Sequence, residues 1–473
     1  MDDAHGDTAY DRVAYPAAIF HQAHPDRLAT MARLHGLPAP DIATARVLEI
    51  GGGDGVNAIA IAAAFPGAQV LSIDLAESAV RRGQAIVEAC GLTNVRVEVG
   101  DIVDLAQHMD ERFDYVIAHG VYAWVPQPVR EATLALIGRV LSTDGVAYVS
   151  YNALPGGYLR QALRDMLLRV VAGIDDPKTK GDAAVAFLTE YGTARDGDTS
   201  AQKSLRSEAR ALARKPHSIL FHDELGDFFA PQALTDVVNA AAEQGLQYLN
   251  DGNVGMMGGG FFASAEADMS TAAVIAAQQR GDDNDIRFFR WSLFVRDSAT
   301  PQRILDIDAI RGLYATSYAK QTEPGTFSVR DGTFAIKDPR VLAILERLID
   351  DMPHRVQVGE LTGDDDVTAS FLSLFDVGLV DLHAASAPFV RTPGPSPTAS
   401  SLARHQVEAG HERVCTLSHR MLDVSAPPLR DFVLMLDGTR TLDDLKVEWA
   451  AGPHRGIPFD NAMGVAIKGA LML

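Results

Sequence analysis

The residues best suited to chemistry form a glycine-rich loop between an apolar strand and a helix. The loop covers residues 49–55, reads EIGGGDG and directly follows the apolar run RVL. Glycines let the backbone turn sharply and approach a ligand, and the N-terminus of the following helix offers unpaired N–H groups. A dinucleotide-binding loop needs Gly or Ala three residues after Gly53, but Val56 stands there. The spacing therefore predicts a ligand loop of the pattern Glu-x-Gly-x-Gly-x-Gly.

Two acidic residues follow at the ends of the next two strands. Asp74 closes QVLSID, and Asp101 closes VRVEVGD. A carboxylate at the tip of the second strand can accept both hydroxyls of a ribose. The alternative is that both acids only cap helices or turns.

A second group of polar and aromatic residues follows the fourth and fifth strands. His119, Tyr122 and Trp124 come after FDYVIA, and Tyr151 and Asn152 end VAYVSYN. Ligands of open α/β sheets bind at this carboxyl edge, so we expect an aromatic slot that desolvates an acceptor. Taken singly, His119 could bond a backbone group and Trp124 could pack under a loop.

These residues need a sheet to hold them. Residues 46–150 alternate short β-branched runs with helical stretches, which predicts an α/β fold with a parallel, Rossmann-like sheet. The strands LQYLND and RFFRWSLFVR are expected to complete it, after a helical insertion. Helix-then-strand patterns near the C-terminus suggest α+β, winged-helix-like modules.

The same patterns give domain boundaries. We predict an N-terminal flap and helix (1–45), a cofactor-binding core (46–157) and a helical insertion (158–215). A regulatory region that completes the sheet (216–300), a first C-terminal module (301–390), and a Pro/Ser-rich linker with a second module (391–473) follow.

The composition and charge of the chain limit the classes of binding partner. The chain has 473 residues, with 42 Lys plus Arg against 62 Asp plus Glu, so its formal charge is −20. This net negative charge disfavours binding to nucleic acid and to anionic membrane surfaces. No apolar run approaches the ~20 residues that span a bilayer. Two cysteines cannot build a disulfide framework or a Cys-rich zinc site, and no other metal site is expected. We expect a soluble cytoplasmic protein without membrane insertion.

The glycine loop, the ribose acid and the third-strand acid, in this order, resemble the class I S-adenosylmethionine-dependent methyltransferases. The resemblance implies that the glycines pass the methionine part, Asp74 holds the ribose and Asp101 faces the adenine amino group. The cofactor-binding set is Glu49, Gly51, Gly53, Gly55, Asp74, Asp101, Ile102 and His119. The catalytic set is His119, Tyr122, Trp124 and Asn152.

Longer segments of the sequence indicate a more specific group within this family. FHQAHPDRLATMARLHGL, HGVYAWVP, SYNALPGGY, and FHDEL followed by GLQYL resemble bacterial methyltransferases with a methyltransferase regulatory domain. That group includes the rickettsial protein-lysine methyltransferases, so the resemblance implies a protein or peptide substrate. In FHDEL, we expect His222 to pin the insertion to the sheet, and Asp223 and Glu224 to be charges at a helix start.

Other functions stay open at this point. One is N- or O-methylation of a small molecule or modified peptide, for which the first domain would suffice. Another is a scaffold that binds the cofactor without catalysis, although the glycines and the ribose acid are intact. The Asp/Asn-Pro-Pro-Tyr motif of nucleobase methyltransferases is absent after the fourth strand, which again disfavours nucleic acid. The oligomeric state is open, a homodimer included.

Overall fold

A seven-stranded sheet forms the centre of the protein. The computed structural model describes residues 13, 15–16, 18–252, 270–303, 307–329 and 332–473. The predicted flap therefore lies partly outside the described residues. The strands of the central sheet are β1 (Arg46–Ile50), β2 (Gln69–Asp74), β3 (Val95–Val99), β4 (Phe113–Ala118), β5 (Leu141–Asn152), β6 (Leu246–Asp251) and β7 (Phe289–Arg296).

The order of the strands is β3-β2-β1-β4-β5-β7-β6. The first five strands run parallel, and β7 is antiparallel to both β5 and β6. The predicted Rossmann-like sheet, with two late strands completing it, is thereby confirmed. Because the order reverses direction at β1, the carboxyl ends of β1 and β4 flank a crevice where ligands of such sheets bind.

Helices cover both faces of the sheet. Those of the first half are α1 (Pro25–Leu34), α2 (Val56–Ala64), α3 (Glu77–Cys90), α4 (Ile102–His108) and α5 (Gln127–Val140). Each α2–α5 helix connects two parallel strands, as a parallel sheet requires. Helix α2 begins directly after the glycine loop, so its N-terminus lies at the ligand edge.

A helical segment follows β5. It comprises α6 (Gly156–Val170), α7 (Pro177–Tyr191), α8 (Ser200–Leu212) and α9 (His217–Asp223). These helices share a small apolar core of their own that includes Leu163, Leu188 and Leu220. Helices α10 (Leu234–Ala242) and α11 (Thr271–Asp285) then flank β6 and lead into β7.

The C-terminal part contains two small α+β units. The first has α12 (Ile307–Arg311), β8 (Tyr314–Thr316), β9 (Lys320–Glu323), β10 (Thr326–Val329), β11 (Gly332–Ala335), α13 (Pro339–Asp351), β12 (Val356–Gln357), α14 (Val358–Leu361), α15 (Asp365–Asp376) and β13 (Asp381–His383). The second has α16 (Ser401–Glu408), β14 (Arg413–Cys415), β15 (Met421–Asp423), α17 (Pro427–Met435), α18 (Leu442–Ala451) and α19 (Phe459–Lys468). Their sheets are β12-β8-β13, β9-β10-β11 and β14-β15.

The second C-terminal unit packs against the cofactor half of the sheet. Every residue of α2 is buried. A helix that is apolar on all sides needs cover on all sides. The sheet covers one side of α2, and α16 packs on α2 and α3 from the other. Leu402 and Cys415 of the second unit share one apolar cluster with Ile59 of α2.

In the described part of the chain, no helix combines the length and the apolar character needed to cross a membrane. A group of three or more His, Cys, Asp or Glu side chains placed to hold a metal ion is likewise absent from the described residues.

Candidate functional site

The glycine loop leaves an open space at its middle glycine. Gly51, Gly53 and Gly55 have φ angles of +68°, +60° and +68°, a conformation that favours glycine. A Cβ at Gly51 would lie 2.4 Å from Val121, and one at Gly55 would lie 2.9 Å from Val97. A Cβ at Gly53 would meet nothing within 4 Å. The outer glycines are therefore required by packing, whereas Gly53 borders a space that can take a ligand.

Asp74 is held next to that space. Its Oδ2 accepts a 2.7 Å hydrogen bond from the Gly53 amide, and its Oδ1 accepts one of 2.8 Å from the Ala76 amide. A carboxylate has about four acceptor sites on its two oxygens, so it can accept from a ligand as well as from the backbone. The carboxylate is thus fixed at the tip of β2, where the sequence predicts the ribose.

Asp101 lies one strand further along the same edge. It is the N-cap of α4, and its Oδ1 accepts a 2.8 Å bond from the Val103 amide, so the capping role is observed and the contact with adenine stays a prediction. The next residue, Ile102, is half-buried. Three exposed apolar side chains lie around the two acids, namely Leu75, Val99 and Val103. Exposed apolar groups next to hydrogen-bonding acids suit a flat heterocycle with polar edges, such as adenine.

Glu49 backs the loop from the protein side. Its Oε1 accepts a 2.7 Å bond from Asn57 Nδ2, and its Oε2 accepts one of 3.3 Å from Ser72 Oγ. A Cβ at Gly52 would lie 2.8 Å from Oε2, so the carboxyl group lies directly behind the loop. Burial raises the pKa of Glu49 to about 7, against these hydrogen bonds, which lower it. Glu49 supports the loop in this structure, and direct contact with a cofactor stays a prediction.

His119 lies on one face of the sheet, directly after β4. Its Nδ1 is 2.9 Å from Tyr148 Oη, and its ring stacks on Phe20 with 3.6 Å between centroids. Burial lowers the pKa of His119 to about 3, so the imidazole is neutral at ordinary pH. A neutral ring between aromatic neighbours gives this part of the edge low polarity.

Asn152, the last residue of β5, lies on the same face. Side chains alternate along a strand, so Asn152 points to the same side as Tyr148. Its partner across to β7 is Phe289, whose ring centroid is 6.4 Å from that of His119. Asn152 is 1% exposed, and its Oδ1 has no hydrogen-bond partner among the described residues. An unpaired buried carbonyl is costly, so this atom is suited to accept from a ligand N–H or O–H group.

Tyr122 and Trp124 do not join this group. Tyr122 is 4% exposed and packs on Tyr151 in the apolar cluster on the opposite face of the sheet. Burial raises the pKa of Tyr122 to about 12. Trp124 packs on Phe229, 5.1 Å between centroids. Within the described part of the chain, no ring contact links either residue to His119. Tyr122 thus packs on one face of the sheet and His119 on the other, and the slot formed by all three residues stays a prediction.

The FHDEL segment also differs from expectation. His222 Nε2 lies 2.7 Å from the carbonyl oxygen of Val13, so it links α9 of the helical segment to the N-terminal segment. Asp223 and Glu224 lie at the end of α9, not at a helix start. Glu224 is fully buried and forms an ion pair with Arg160 of α6.

Arg160 connects this ion pair to the aromatic contact described above. Its guanidinium carbon lies 5.4 Å from the ring centroid of Trp124. Sequence reasoning missed Arg160, Phe20, Phe229 and Phe289, because each comes from a segment remote from the loop it contacts. The signal that could have pointed to Arg160 is the acidic pair in FHDEL, which needs a cation when buried.

Comparisons with known proteins identify a family domain and similar proteins. Residues 47–145 match the model of a family described as methyltransferase domain. RP028 of Rickettsia prowazekii is 31% identical over 220 residues, which cover 46% of this chain and 88% of RP028. RP789 of the same organism is 30% identical over 307 residues, which cover 64% of this chain. The chain spans only about half of RP789, 55% of its length.

One solved protein shares the architecture of nearly the whole chain. PKMT2 from Rickettsia typhi superposes with a TM-score of 0.80 at 22% identity, covering 97% of this chain and 100% of that chain. Its complex with AdoHcy gives the same TM-score, identity and coverage of this chain. The likeness therefore includes the insertion and both C-terminal units as well as the sheet.

Proposed function

We propose that this chain, which belongs to the class I S-adenosylmethionine-dependent methyltransferases, methylates the side-chain amine of lysine in a protein substrate. The cofactor assignment fits the open space at Gly53, the fixed carboxylate of Asp74 and the exposed apolar side chains near Asp101. When bound, S-adenosylmethionine supplies a methyl group on a positively charged sulfur, which keeps the bonding electron pair as the acceptor nitrogen forms its new bond.

The observation that carries the acceptor assignment is the buried Oδ1 of Asn152, which has no hydrogen-bond partner in the part of the chain that the structure describes. A buried carbonyl oxygen beside apolar rings selects a ligand with an N–H or O–H donor. A neutral lysine amine has two N–H bonds, so it can donate one to Asn152 and direct its lone pair to the methyl carbon. Such alignment is the main contribution a protein makes to an in-line displacement.

The low polarity of this edge also favours the reactive form of lysine. A charged ammonium, with an ordinary pKa of ~10.4, has no lone pair and cannot accept a methyl group. Phe20, Phe289 and the neutral ring of His119 provide little to stabilise that charge. Desolvation therefore lowers the lysine pKa and assists loss of its proton to solvent.

Support for a protein acceptor, rather than a metabolite, comes from outside the sheet. The FHDEL and HGVYAWVP segments resemble protein-lysine methyltransferases, and the fold of PKMT2 is shared over 97% of the chain. We infer that the helices α6–α9, which start at the carboxyl end of β5, govern access of a large acceptor. The two free cysteines, Cys90 and Cys415, suit a reducing compartment such as the cytoplasm.

The direct test is transfer of a labelled methyl group. We expect the purified chain, incubated with methyl-labelled S-adenosylmethionine and a lysate of bacterial outer-membrane and soluble proteins, to label protein bands. Acid hydrolysis of those bands should release methylated lysine. Label found only in small molecules would contradict the protein assignment, and label on another amino acid would contradict the lysine assignment.

Asn152 provides the matched variant. Asn152→Leu keeps the side-chain volume but removes the carbonyl, so turnover should fall about tenfold or more while cofactor affinity changes little. The control is Asn239→Leu, the same change at an exposed position of α10. Equal turnover in the two variants would remove Asn152 from the acceptor site.

A further inference from the structure

Asn57, at the start of α2, joins three separate parts of the chain. Its Nδ2 donates to Glu49 Oε1 at 2.7 Å, directly behind the glycine loop. Its Oδ1 accepts from the backbone N–H of Phe20 at 2.9 Å. The same oxygen lies 2.9 Å from Nε2 of His419, 362 residues along the chain. The side chain is 3% exposed, so these partners define its position.

His419 reaches Asn57 from the tip of the hairpin formed by β14 and β15. Its backbone adopts φ +55°, a left-handed conformation uncommon for a residue with a side chain. This turn directs the imidazole into the protein, where it is 3% exposed and lies 4.6 Å from the ring of His24. The hairpin therefore inserts a polar ring at the base of the cofactor loop.

The protonation state of this ring follows from its surroundings. Burial lowers the pKa of His419 well below its usual value, so the imidazole is neutral. Asn57 Oδ1 can only accept, so the His419 Nε2–H donates to it. Nδ1, which then carries no proton, has no partner among the described residues. A fixed tautomer and a single directed bond distinguish this contact from apolar packing.

We propose that the C-terminal hairpin is part of the cofactor site, and that His419 is a positioning residue that holds Asn57 against Glu49. Through its hydrogen bond to Glu49, Asn57 then fixes the side of the glycine loop that faces the protein interior. Through Phe20, which stacks on His119, it also reaches the acceptor side. The inference rests on the proposed function only in requiring that this loop bind S-adenosylmethionine.

Packing alone does not account for the arrangement. The second C-terminal unit already covers α2 with apolar side chains such as Leu402 and Leu417. An apolar residue at position 419 would avoid the desolvation cost of a buried imidazole. His419 is instead a polar ring in a strained turn, and it bonds Asn57, which contacts both Glu49 and Phe20. This bond transmits the position of the hairpin to the loop.

The experiment measures cofactor binding without any acceptor. S-adenosylmethionine affinity is determined by titration calorimetry for the full chain and for His419→Ala, which should bind about three- to tenfold more weakly. His419→Gln should restore most of the affinity, because its amide N–H can donate to Asn57. The control is His411→Ala, an exposed histidine just before β14, which should leave affinity unchanged.

Two further variants keep the test decisive if His419→Ala folds poorly. His419→Asn tolerates the left-handed backbone but has a shorter side chain, so it should fold and still bind weakly. Asn57→Ala combined with His419→Ala should weaken affinity no more than Asn57→Ala alone.

A lower melting temperature with unchanged affinity in His419→Ala and His419→Asn would overturn the proposal and leave the hairpin a packing element. Because no acceptor is present, failure of the lysine assignment would leave this measurement unaffected.

Discussion

The two halves of the carboxyl edge of the sheet are built differently. On the cofactor side, the glycine loop, Asp74 and Asp101 all belong to one stretch of alternating strands and helices. On the acceptor side, His119 contacts Phe20, and Asn152 pairs across strands with Phe289. A contiguous stretch fixes the chemistry of the first half, whereas the second half depends on chain segments that only the complete fold brings together.

This difference predicts which substitutions should change cofactor affinity and which should change turnover. Changes on the cofactor side should weaken affinity for S-adenosylmethionine. Changes on the proposed acceptor side should lower turnover at saturating cofactor, because we propose that the aromatic and amide groups there act on the acceptor. Four substitutions test this division, in order of decreasing expected effect on cofactor binding or turnover.

Gly53→Val should have the largest effect. Its side chain would enter the open space at the loop, so we expect cofactor affinity to fall at least about a hundredfold, measured by calorimetry. Gly91→Val is a matched control, because Gly91 also has a positive φ (+64°) and also has nothing within 4 Å of its ideal Cβ. Equal losses in both variants would show that backbone strain, not the ligand, explains the effect.

Asp74→Ala should weaken cofactor binding by about tenfold or more, because ribose hydroxyls would lose their acceptor in a partly buried site. Asp144→Ala, at an exposed position in β5, serves as the comparison. Unchanged affinity after Asp74→Ala would remove Asp74 from the cofactor half.

Trp124→Ala should lower turnover by about threefold to tenfold if Trp124 lines the acceptor slot, as the sequence predicts. Cofactor affinity should stay nearly unchanged, because Trp124 packs on Phe229 and faces Arg160 rather than the glycine loop. Steady-state kinetics with varied cofactor separates the two quantities. A parallel loss of affinity would place Trp124 in the cofactor half and break the division.

Glu49→Gln should change cofactor affinity least and instead alter the pH dependence of stability. The folded-state pKa is raised from 4.5 to about 7, so the folded protein binds more protons than the unfolded chain in this interval. The free energy of unfolding should therefore fall as pH rises from 4.5 to 7, by at most about 3 kcal/mol from this group. Denaturation at several pH values should show a flatter dependence in Glu49→Gln than in wild type. Identical slopes would mean that the pKa of Glu49 is not raised in the folded protein.

The pH dependence of turnover provides a related check on His119. Its pKa of about 3 means that it does not titrate near neutral pH. The rate should rise with pH as the acceptor amine loses its proton, and His119→Ala should preserve that slope. A slope that flattens near pH ~6–7 in the variant would identify His119 as a proton acceptor.

Sequence patterns correctly place the loop and the strand-end acids of the proposed cofactor half at one edge of the sheet, because its signals are local. The β-branched runs, the spacing of Gly51, Gly53 and Gly55, and the acids at strand ends lie within residues 46–101. The residues of the proposed acceptor half cannot be grouped from local sequence patterns. Tyr122 and His119 are three residues apart in the sequence yet lie on opposite faces of the sheet, which depends on how the loop after β4 turns. Nothing in the sequence around Phe20 or Phe289 indicates that both side chains lie next to His119.

The sequence of α2 itself indicates that a further segment must cover this helix. VNAIAIAAA is apolar at almost every position, whereas a surface helix would show one polar face. This composition requires a cover on the side away from the sheet. The sequence does not say which segment supplies it, because the packing of α16 on α2 depends on shape rather than on a motif.

The complete burial of α2 has a consequence for how the protein is made. A ribosome releases the chain from its N-terminus, so α2 emerges more than 330 residues before α16, which covers it. At about 5–20 residues per second, an apolar helix next to the glycine loop stays uncovered for roughly 15 to 70 seconds. During synthesis this segment is the natural place for a chaperone to bind, and a chain that stops before residue 401 keeps that apolar surface permanently exposed.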